Sequence, residues 1–428
     1  MALDFEPYTR VRLTMEGGVV HEGVVLPGEG SFIVLKLDNG YNVGIDPRRV
    51  KEADTLGKEE PSQAEGGPTV TQQDDKPSIT ILHTGGTIAS KVDYETGGVI
   101  ARFDPEELLA MFPELGEVAH ISSELVGNMQ SDDFRFKHFN KLATAIHERA
   151  QKGEKRFIVT SGTDFLHYLS AALSFLLKDV PVSVLVVGAQ RSSDRGSSDA
   201  GVNLACAASF LASQEFQGVG VCMHASTADD SCIIIPGAQA RKMHSSRRDA
   251  FRPVNAPAWA EVSYPDRTIT LKSDLTSRQD KVPDEIPLLK ENLRIGLVYS
   301  HPQMSPGEFS SFDGFDGLVL AGSGLGHFPV TKEVDEQHGA ILDALKGLAA
   351  KMPVVMATQA VSGRVHMDVY SPGRVLQEAG VLGHGSVLPV ETAFVKLAWL
   401  LSTGRDPKKD FLTDMVGEMH GDGSNLYV

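Results

Sequence analysis

Two short apolar runs of this chain each end in glycine followed by threonine, and this arrangement constrains the fold more than any other feature. The run from Ser78 to His83 leads into Thr84-Gly85-Gly86-Thr87, and the run from Arg156 to Thr160 leads into Ser161-Gly162-Thr163-Asp164. Such runs predict strands, and open α/β sheets bind ligands at the carboxyl edge of their parallel strands. The pattern favours a hydroxyl-nucleophile site at that edge. Ordinary strand-to-loop turns rich in Gly and Thr are the alternative.

Strands and helices alternate from Ser78 onward, which predicts a mostly parallel sheet covered by helices on both sides. The first unit, 78–285, has predicted strands at 78–83, 156–160, 182–187 and 218–223, and predicted helices at 134–151, 165–177 and 199–213. Asp164 and Asp199 are the predicted N-caps of the last two helices. After a charged, proline-containing passage, a second α/β unit, 292–428, has predicted strands near 294–300, 317–321 and 353–358, and predicted helices near 333–349 and 391–402.

The first fifty residues have a different pattern, with short β-rich runs separated by glycine turns. Asn39-Gly40 joins two of these runs and is a strong hairpin signal. We therefore predict a small all-β domain over 1–51, SH3-like or Sm-like, which is typical of an interaction module but equally compatible with a structural role. Residues 52–77 have no aromatic side chain and are rich in acidic, amide, Gly and Pro residues, so they are predicted to be a flexible linker.

Composition excludes several functional classes. The net charge of −16 over 428 residues argues against extended direct contact with nucleic acid. There is no phosphate-binding GxxxxGK[ST] sequence and no metal-ligand spacing, so no cofactor or metal is expected in this chain. No apolar run reaches membrane-spanning length and no export signal is visible. Cys206, Cys222 and Cys232 suit buried thiols in a reducing cytoplasm.

A threonine hydroxyl needs a neighbour that takes its proton or lowers its pKa. Tyr94 follows Thr87 in a glycine-flanked loop, 92–98, that is long enough to fold over the site as a lid, although an ordinary surface tyrosine is an equal alternative. Lys242 offers an amine that would act if it lay beside Thr163 and Asp164, whereas composition alone favours a solvated lysine.

Ser131 and Asp132 bring a hydroxyl and a carboxylate to a further loop, just before a predicted helix. A hydroxyl at a helix N-terminus suits a substrate carboxylate, because the helix dipole favours negative charge there. An N-cap role is the structural alternative and is compatible with binding.

The two glycine–threonine motifs resemble the signature motifs of the L-asparaginase/glutaminase amidohydrolases, over residues from about 78 to the C-terminus. The resemblance implies a two-domain α/β fold, Thr87 as nucleophile with Tyr94 in the lid, and Thr163, Asp164 and Lys242 as a second catalytic cluster. It also implies that Ser131, Asp132 and Asp164 hold the α-carboxylate and α-amino groups of the substrate. The family pattern His-Gly-Thr-Asp-Thr is replaced here by Ser161-Gly-Thr-Asp-Phe165.

The added β-domain and linker, together with segments 369–374 and 392–399, resemble the D subunits of the archaeal glutamyl-tRNA(Gln) amidotransferases. This resemblance implies glutamine hydrolysis that supplies ammonia to a partner, the E subunit, which uses ATP and Mg²⁺ to convert Glu-tRNA(Gln) to Gln-tRNA(Gln). It also implies a cytoplasmic homodimer within a heterotetramer, with tRNA held mainly by the partner. A stand-alone L-asparaginase and a non-catalytic scaffold with a binding barrel are the alternatives.

Overall fold

The computed structural model describes residues 5–26, 32–38, 42–58, 75–85, 88, 90–92, 99–101, 105–191 and 197–419. Its N-terminal part is a five-stranded antiparallel sheet in the order β4-β3-β2-β1-β5. The strands are β1 Thr9–Met15, β2 Val20–Val25, β3 Ile33–Leu37, β4 Asn42–Ile45 and β5 Val50–Lys58. Alternate residues of β1, Val11 and Leu13, are fully buried together with Leu35, as expected for a half-buried sheet. The predicted all-β N-terminal domain is confirmed, and β3 pairs with β4 as the predicted hairpin requires.

Strand β5 corrects the start of the predicted linker. It pairs with β1 along most of its length, with Leu13 opposite Ala53 and Thr9 opposite Lys58. The polar composition of this stretch suggested a linker, but β5 uses the backbone hydrogen bonds of β1 and needs little apolar surface of its own. Residues 59–74 lie outside the described residues.

The second unit is built on an eight-stranded sheet in the order β17-β16-β13-β12-β11-β10-β6-β9. Five neighbouring strands are parallel to one another, namely β12, β11, β10, β6 and β9. The pairs β12–β13, β13–β16 and β16–β17 are antiparallel. Two small antiparallel ribbons, β7–β8 and β14–β15, accompany it. The strands of this unit are β6 Ser78–His83, β7 Ser90–Val92, β8 Val99–Ala101, β9 His120–Leu125, β10 Arg156–Thr160, β11 Ser183–Val187, β12 Gly218–His224, β13 Ser231–Pro236, β14 Ala240–Lys242, β15 Phe251–Pro253, β16 Ala260–Ser263 and β17 Ile269–Leu271.

Helices cover both faces of this sheet, as the alternation predicts. They are α1 Pro105–Met111, α2 Phe136–Gln151, α3 Leu166–Leu176 and α4 Ala200–Ser213. The side chains of β10 alternate between the two faces of the sheet. Phe157 and Val159 belong to the core under α2 and α3, whereas Ile158 belongs to the core under α1 and α4. Both faces of β10 are therefore buried, so the sheet is fixed from both sides.

The third unit is a parallel sheet of three strands, β18 Ile295–Tyr299, β19 Gly317–Gly322 and β20 Val354–Thr358. Its helices are α5 Gly307–Ser310, α6 Glu336–Ala349, α7 Ser371–Glu378, α8 Val390–Ser402 and α9 Pro407–Asp410. Helix α8 packs on α3, with the rings of Trp399 and Phe175 centred 5.7 Å apart. The two α/β units therefore share one hydrophobic core, and the predicted two-domain α/β fold is confirmed.

The three cysteines, Cys206, Cys222 and Cys232, are buried and free, as predicted. Over the described ranges, the structure contains no helix long and apolar enough to cross a membrane.

A fully buried ion pair fastens the C-terminal segment to α8. Nζ of Lys396 lies 2.5 Å from Oε1 of Glu418, and both side chains have no exposed surface. The same ammonium donates to the carbonyl of Thr413, while the backbone N–H groups of Met415 and Val416 donate to the carboxylate. The pair is thus enclosed, and both of its members have further hydrogen bonds, which help to offset the cost of burying two charges.

We expect Glu418→Gln to lower the free energy of unfolding by about 3 kcal/mol, because it leaves the Lys396 charge buried without its counter-charge. Urea unfolding followed by circular dichroism measures this change. Asp313→Asn is the matched control, since Asp313 pairs with Lys351 at 2.7 Å on the surface and exposed pairs of this kind contribute little to stability. Equal losses in the two variants would contradict the assigned role of the buried pair.

Candidate active site

The two glycine–threonine motifs lie side by side at one edge of the main sheet. Strands β6 and β10 are parallel neighbours, and His83 is directly opposite Thr160. Beyond the paired region, the backbone N–H and the hydroxyl of Thr84 both donate to the carbonyl of Thr160, at 3.2 and 2.9 Å. The predicted juxtaposition of the motifs is therefore present. Thr87 and Tyr94 lie outside the described residues.

Gly85 allows the loop before Ser131 to approach the end of β6. Its φ angle is +100°, and a Cβ at this position would lie 2.6 Å from the backbone nitrogen of Met129. The carbonyl of Thr84 accepts the N–H of Met129 across the same contact. Only glycine combines this backbone conformation with this close approach, so the first glycine of the motif brings a third loop to the site.

Lys242 meets Thr163 and Asp164 directly. Its Nζ donates to Oγ1 of Thr163 and to Oδ1 of Asp164, both at 2.8 Å. The lysine side chain is 10% exposed and the Asp164 side chain 69% exposed. The ammonium is thus enclosed, while the carboxylate faces solvent where a ligand can reach it. The sequence left a solvated lysine as the simpler alternative, and the structure favours the clustered arrangement.

Ser131 and Asp132 occupy a short 3-10 turn, 131–133, beside this cluster. Ser131 is buried, and its hydroxyl accepts the N–H groups of Asp164 and Phe165 at 3.1 and 3.3 Å. The hydroxyl therefore fastens the 131–133 turn to the segment that leads into α3, whereas the sequence suggested a cap on the helix that directly follows Ser131. Asp132 is exposed next to it.

Neither of the two predicted N-cap residues makes a side-chain capping bond. Asp164 does not cap α3, because its carboxylate engages Lys242 and Phe165 occupies the N-cap position. Asp199 occupies the N-cap position of α4, as predicted, but its two carboxylate oxygens accept the N–H groups of Gln190 and Arg191 and make no capping bond. In each case a tertiary partner competes successfully with the local helix end.

The predicted lid loop is framed by a hairpin. Strands β7 and β8 pair antiparallel, with Val92 opposite Val99. The loop between them, with Tyr94, belongs to the residues the structure does not describe, so its position relative to Thr163 stays a prediction.

Sequence reasoning missed Gln190. The hydroxyl of Thr163 donates a hydrogen bond to Oε1 of Gln190 at a distance of 3.4 Å. Gln190 follows β11, the strand next to β10. Its position just after β11 could have identified Gln190 from the sequence, since the parallel strands of the main sheet all end at the same edge.

His167 is a second residue that sequence reasoning missed. It lies on α3, 3.8 Å from Glu391 of α8, which in turn lies 3.4 Å from Arg241 of β14. Burial, followed by the positive charges of Arg241 and Lys242, lowers the pKa of His167 to about 4. The imidazole is therefore neutral near pH 7. Nothing in the local sequence signals this cluster, because its members come from three separate elements.

Phe165, which departs from the family pattern, packs outside the Lys242 cluster. Its ring lies 5.1 Å from that of Tyr168, and both line a cavity of about 400 Å³ between the two α/β units, together with Phe134, Phe136 and Phe394. The substitution therefore contributes to an aromatic surface beside the site and leaves the Thr163–Asp164–Lys242 contacts intact.

Among the described residues, His366, Asp368 and His384 form the one group with the donor set of a metal site. Nδ1 of His384 accepts the N–H of Met367 at 3.1 Å, so a neutral His384 carries its proton on Nε2, the atom nearest Asp368 at 3.4 Å. A metal ligand must present an unprotonated nitrogen. We therefore interpret this group as a hydrogen-bonded surface cluster.

Comparison with known proteins identifies matching families along almost the whole chain. The family described as "GatD N-terminal domain" matches residues 5–56, "Asparaginase, N-terminal" matches 78–276, and "Glutaminase/Asparaginase C-terminal domain" matches 294–410. Together these matches follow the three units of the fold.

Individual relatives agree with these families. The D subunit of the glutamyl-tRNA(Gln) amidotransferase of Thermofilum pendens is 39% identical over 422 residues, covering 94% of this chain and 90% of the relative. The protein of the same name from Pyrococcus furiosus is 38% identical over 434 residues, covering 96% and 94%. The solved structure of the thermostable L-asparaginase from Thermococcus kodakarensis superposes with a TM-score of 0.68 and 28% identity, over 80% of this chain and 99% of the asparaginase.

Proposed function

Because this chain belongs to the family of glutamyl-tRNA(Gln) amidotransferase D subunits, with an asparaginase fold after its N-terminal β-domain, we propose that it hydrolyses the side-chain amide of glutamine and supplies the ammonia to a second type of subunit. The observation that carries the proposal is the double hydrogen bond of Lys242 to Thr163 and Asp164. It lies at the carboxyl edge of the sheet, where Thr84 and Gly85 follow the neighbouring strand β6.

In the proposed reaction the hydroxyl of Thr87 attacks the amide carbonyl of the substrate, with Tyr94 in the lid. The new bond joins the threonine oxygen to the acyl carbon, the carbon–nitrogen bond breaks, and the nitrogen leaves as ammonia after taking up a proton. Water then cleaves the ester and restores the hydroxyl. Thr163, Asp164 and Lys242 form the second catalytic cluster. With Lys242 as the neutral amine, Thr163 takes a proton from that water or from the nucleophile and passes its own proton to Nζ of Lys242.

Substrate is held, in this proposal, by Ser131, Asp132 and Asp164. The exposed carboxylates of Asp132 and Asp164 suit an α-amino group, and the backbone and hydroxyl at Ser131 suit an α-carboxylate beside the N-terminus of α3. No cofactor is required in this chain for amide hydrolysis. ATP and Mg²⁺ are assigned to the partner, the E subunit.

We further propose that the partner holds most of the tRNA, since the net charge of −16 gives this chain little attraction for phosphate. The assembly we propose is a homodimer of this chain within a heterotetramer in the cytoplasm. Light scattering of the purified chain should give the mass of a dimer, and full activity in a monomer would contradict this assembly.

We expect slow glutamine hydrolysis by the chain alone and at least tenfold faster hydrolysis with the E subunit and Glu-tRNA(Gln). A tenfold activation requires only about 1.4 kcal/mol of preferential binding to the active state. Ammonia release from glutamine and from asparagine, with and without partner and charged tRNA, measures this coupling. Rapid asparagine hydrolysis by the isolated chain would favour the stand-alone asparaginase. Inactivity in every mixture would favour the scaffold.

A further inference from the structure

A second group of charged and aromatic side chains lies next to the Lys242 cluster, where the two α/β units meet. We call it the interdomain cluster. It consists of His167 and Tyr168 on α3, Arg241 on β14, Tyr299 on β18 and Glu391 on α8.

Strand β14 connects the two clusters. Successive side chains of a strand point to opposite sides, so Arg241 and Lys242 serve different neighbours. Lys242 contacts Thr163 and Asp164, whereas a guanidinium nitrogen of Arg241 lies 3.4 Å from Oε1 of Glu391. Helix α8 also bonds directly to the turn before β14. The hydroxyl of Thr392, the residue after Glu391, donates to the carbonyl of Ala238 at 2.6 Å.

Glu391 is enclosed, with 9% of its side chain exposed, and the Arg241 side chain is 18% exposed. Oε2 of Glu391 and Nδ1 of His167 are buried without a hydrogen-bond partner in the described part of the chain. Arg241 is therefore the main compensation for this carboxylate, and the position of Glu391 in the first turn of α8 adds the favourable end of the helix dipole.

Among the described residues, three elements bring charged or titratable side chains to Glu391. Helix α3 presents His167 and Tyr168, β14 presents Arg241 with Lys242 next to it, and β18 presents Tyr299. Strands β19 and β20 face α8 with apolar residues such as Val319 and Val355. Within this set, Glu391 is the carboxylate that offsets the charge of Arg241, just as Asp164 offsets that of Lys242.

We propose that Glu391 is a positioning residue for Lys242: it balances the charge of Arg241 and anchors β14 to α8, so that the Lys242 ammonium stays directed at Thr163 and Asp164. This inference rests on the proposed amide hydrolysis, because it concerns the same site. It assigns to the second α/β unit a direct part in setting the charge of the first unit's catalytic lysine.

The test compares Glu391→Gln with wild type by pH-dependent acetylation of Lys242, read by peptide mass spectrometry in the full-length protein. Removing a negative charge beside two cations favours loss of a proton from the ammonium. The pH of half-maximal labelling should therefore fall by ~1 unit. In parallel, kcat for amide hydrolysis should fall by up to about 10²-fold with little change in KM, the size of effect expected for a displaced catalytic group.

Two further variants make the test specific. Arg241→Gln/Glu391→Gln removes both charges and should return the labelling midpoint to the wild-type value. Glu333→Gln, an exposed glutamate on another face, is the matched control and should change neither readout.

A folded Glu391→Gln protein with the wild-type labelling midpoint would overturn the proposal, and so would a double variant whose midpoint remains shifted. Loss of folding in both variants would assign Glu391 to stability alone and also overturn it. Acetylation of Lys242 can be measured whether or not the protein is active. A wild-type chain that hydrolyses neither glutamine nor asparagine would refute the proposed function, and the labelling midpoints would still test the role of Glu391.

Discussion

Replacing Lys242 by methionine is expected to lower the rate of glutamine hydrolysis by about 10³-fold, within the range that proton transfer by a positioned group contributes. Methionine keeps the length and apolar stem of lysine but removes the ammonium that bonds Thr163 and Asp164 at 2.8 Å. Steady-state ammonia release with the partner and charged tRNA present measures the loss. Lys332→Met, at an exposed lysine, is the matched control and should retain wild-type rates.

The same geometry predicts that Lys242 and Asp164 act as a unit. Asp164→Asn alone should be severe, and the double variant should be little worse than either single variant, because residues that share one hydrogen-bonded cluster give non-additive losses. Losses that multiply would show that the two side chains act independently, and would contradict the catalytic cluster as assigned.

Replacing Thr87 by alanine is expected to reduce amide hydrolysis by more than about 10⁴-fold, because removal of a nucleophile leaves only binding and electrostatic contributions. The reason is its position in the sequence, two residues beyond Gly85 and three beyond Thr84, whose hydroxyl donates to the carbonyl of Thr160. Single-turnover assays with glutamine, and trapping of the acyl ester by mass spectrometry, measure the effect.

Thr87→Ser is the matched control, since it keeps the hydroxyl and should retain measurable turnover and the ester. A correctly folded Thr87→Ala protein with near wild-type turnover would remove Thr87 from the mechanism. Circular dichroism and urea unfolding of both variants separate this outcome from a loss of structure.

Much of the fold was predictable from local patterns. Strands β6, β10 and β11 are short apolar runs bounded by turn residues, and α2 and α4 have helical periodicity, so backbone and burial preferences agree over each segment. The antiparallel part of the main sheet was harder to predict. Strands β13, β16 and β17 were missed, because antiparallel extensions of a sheet depend on their partner strand as much as on their own composition.

The sequence by itself determined which residues are available for catalysis and that two strand ends bring Thr84, Thr163 and Asp164 to one sheet edge, because each of these follows from a motif within a single segment. The tertiary structure alone decided that Lys242 is enclosed beside Thr163, that the Ser131 hydroxyl accepts the N–H of Asp164, and that Glu391 faces Arg241. Those contacts join segments far apart in the chain. Local propensities carry no record of such pairings, which arise only when the packed cores of the two units fix α3, α8 and β14 against one another.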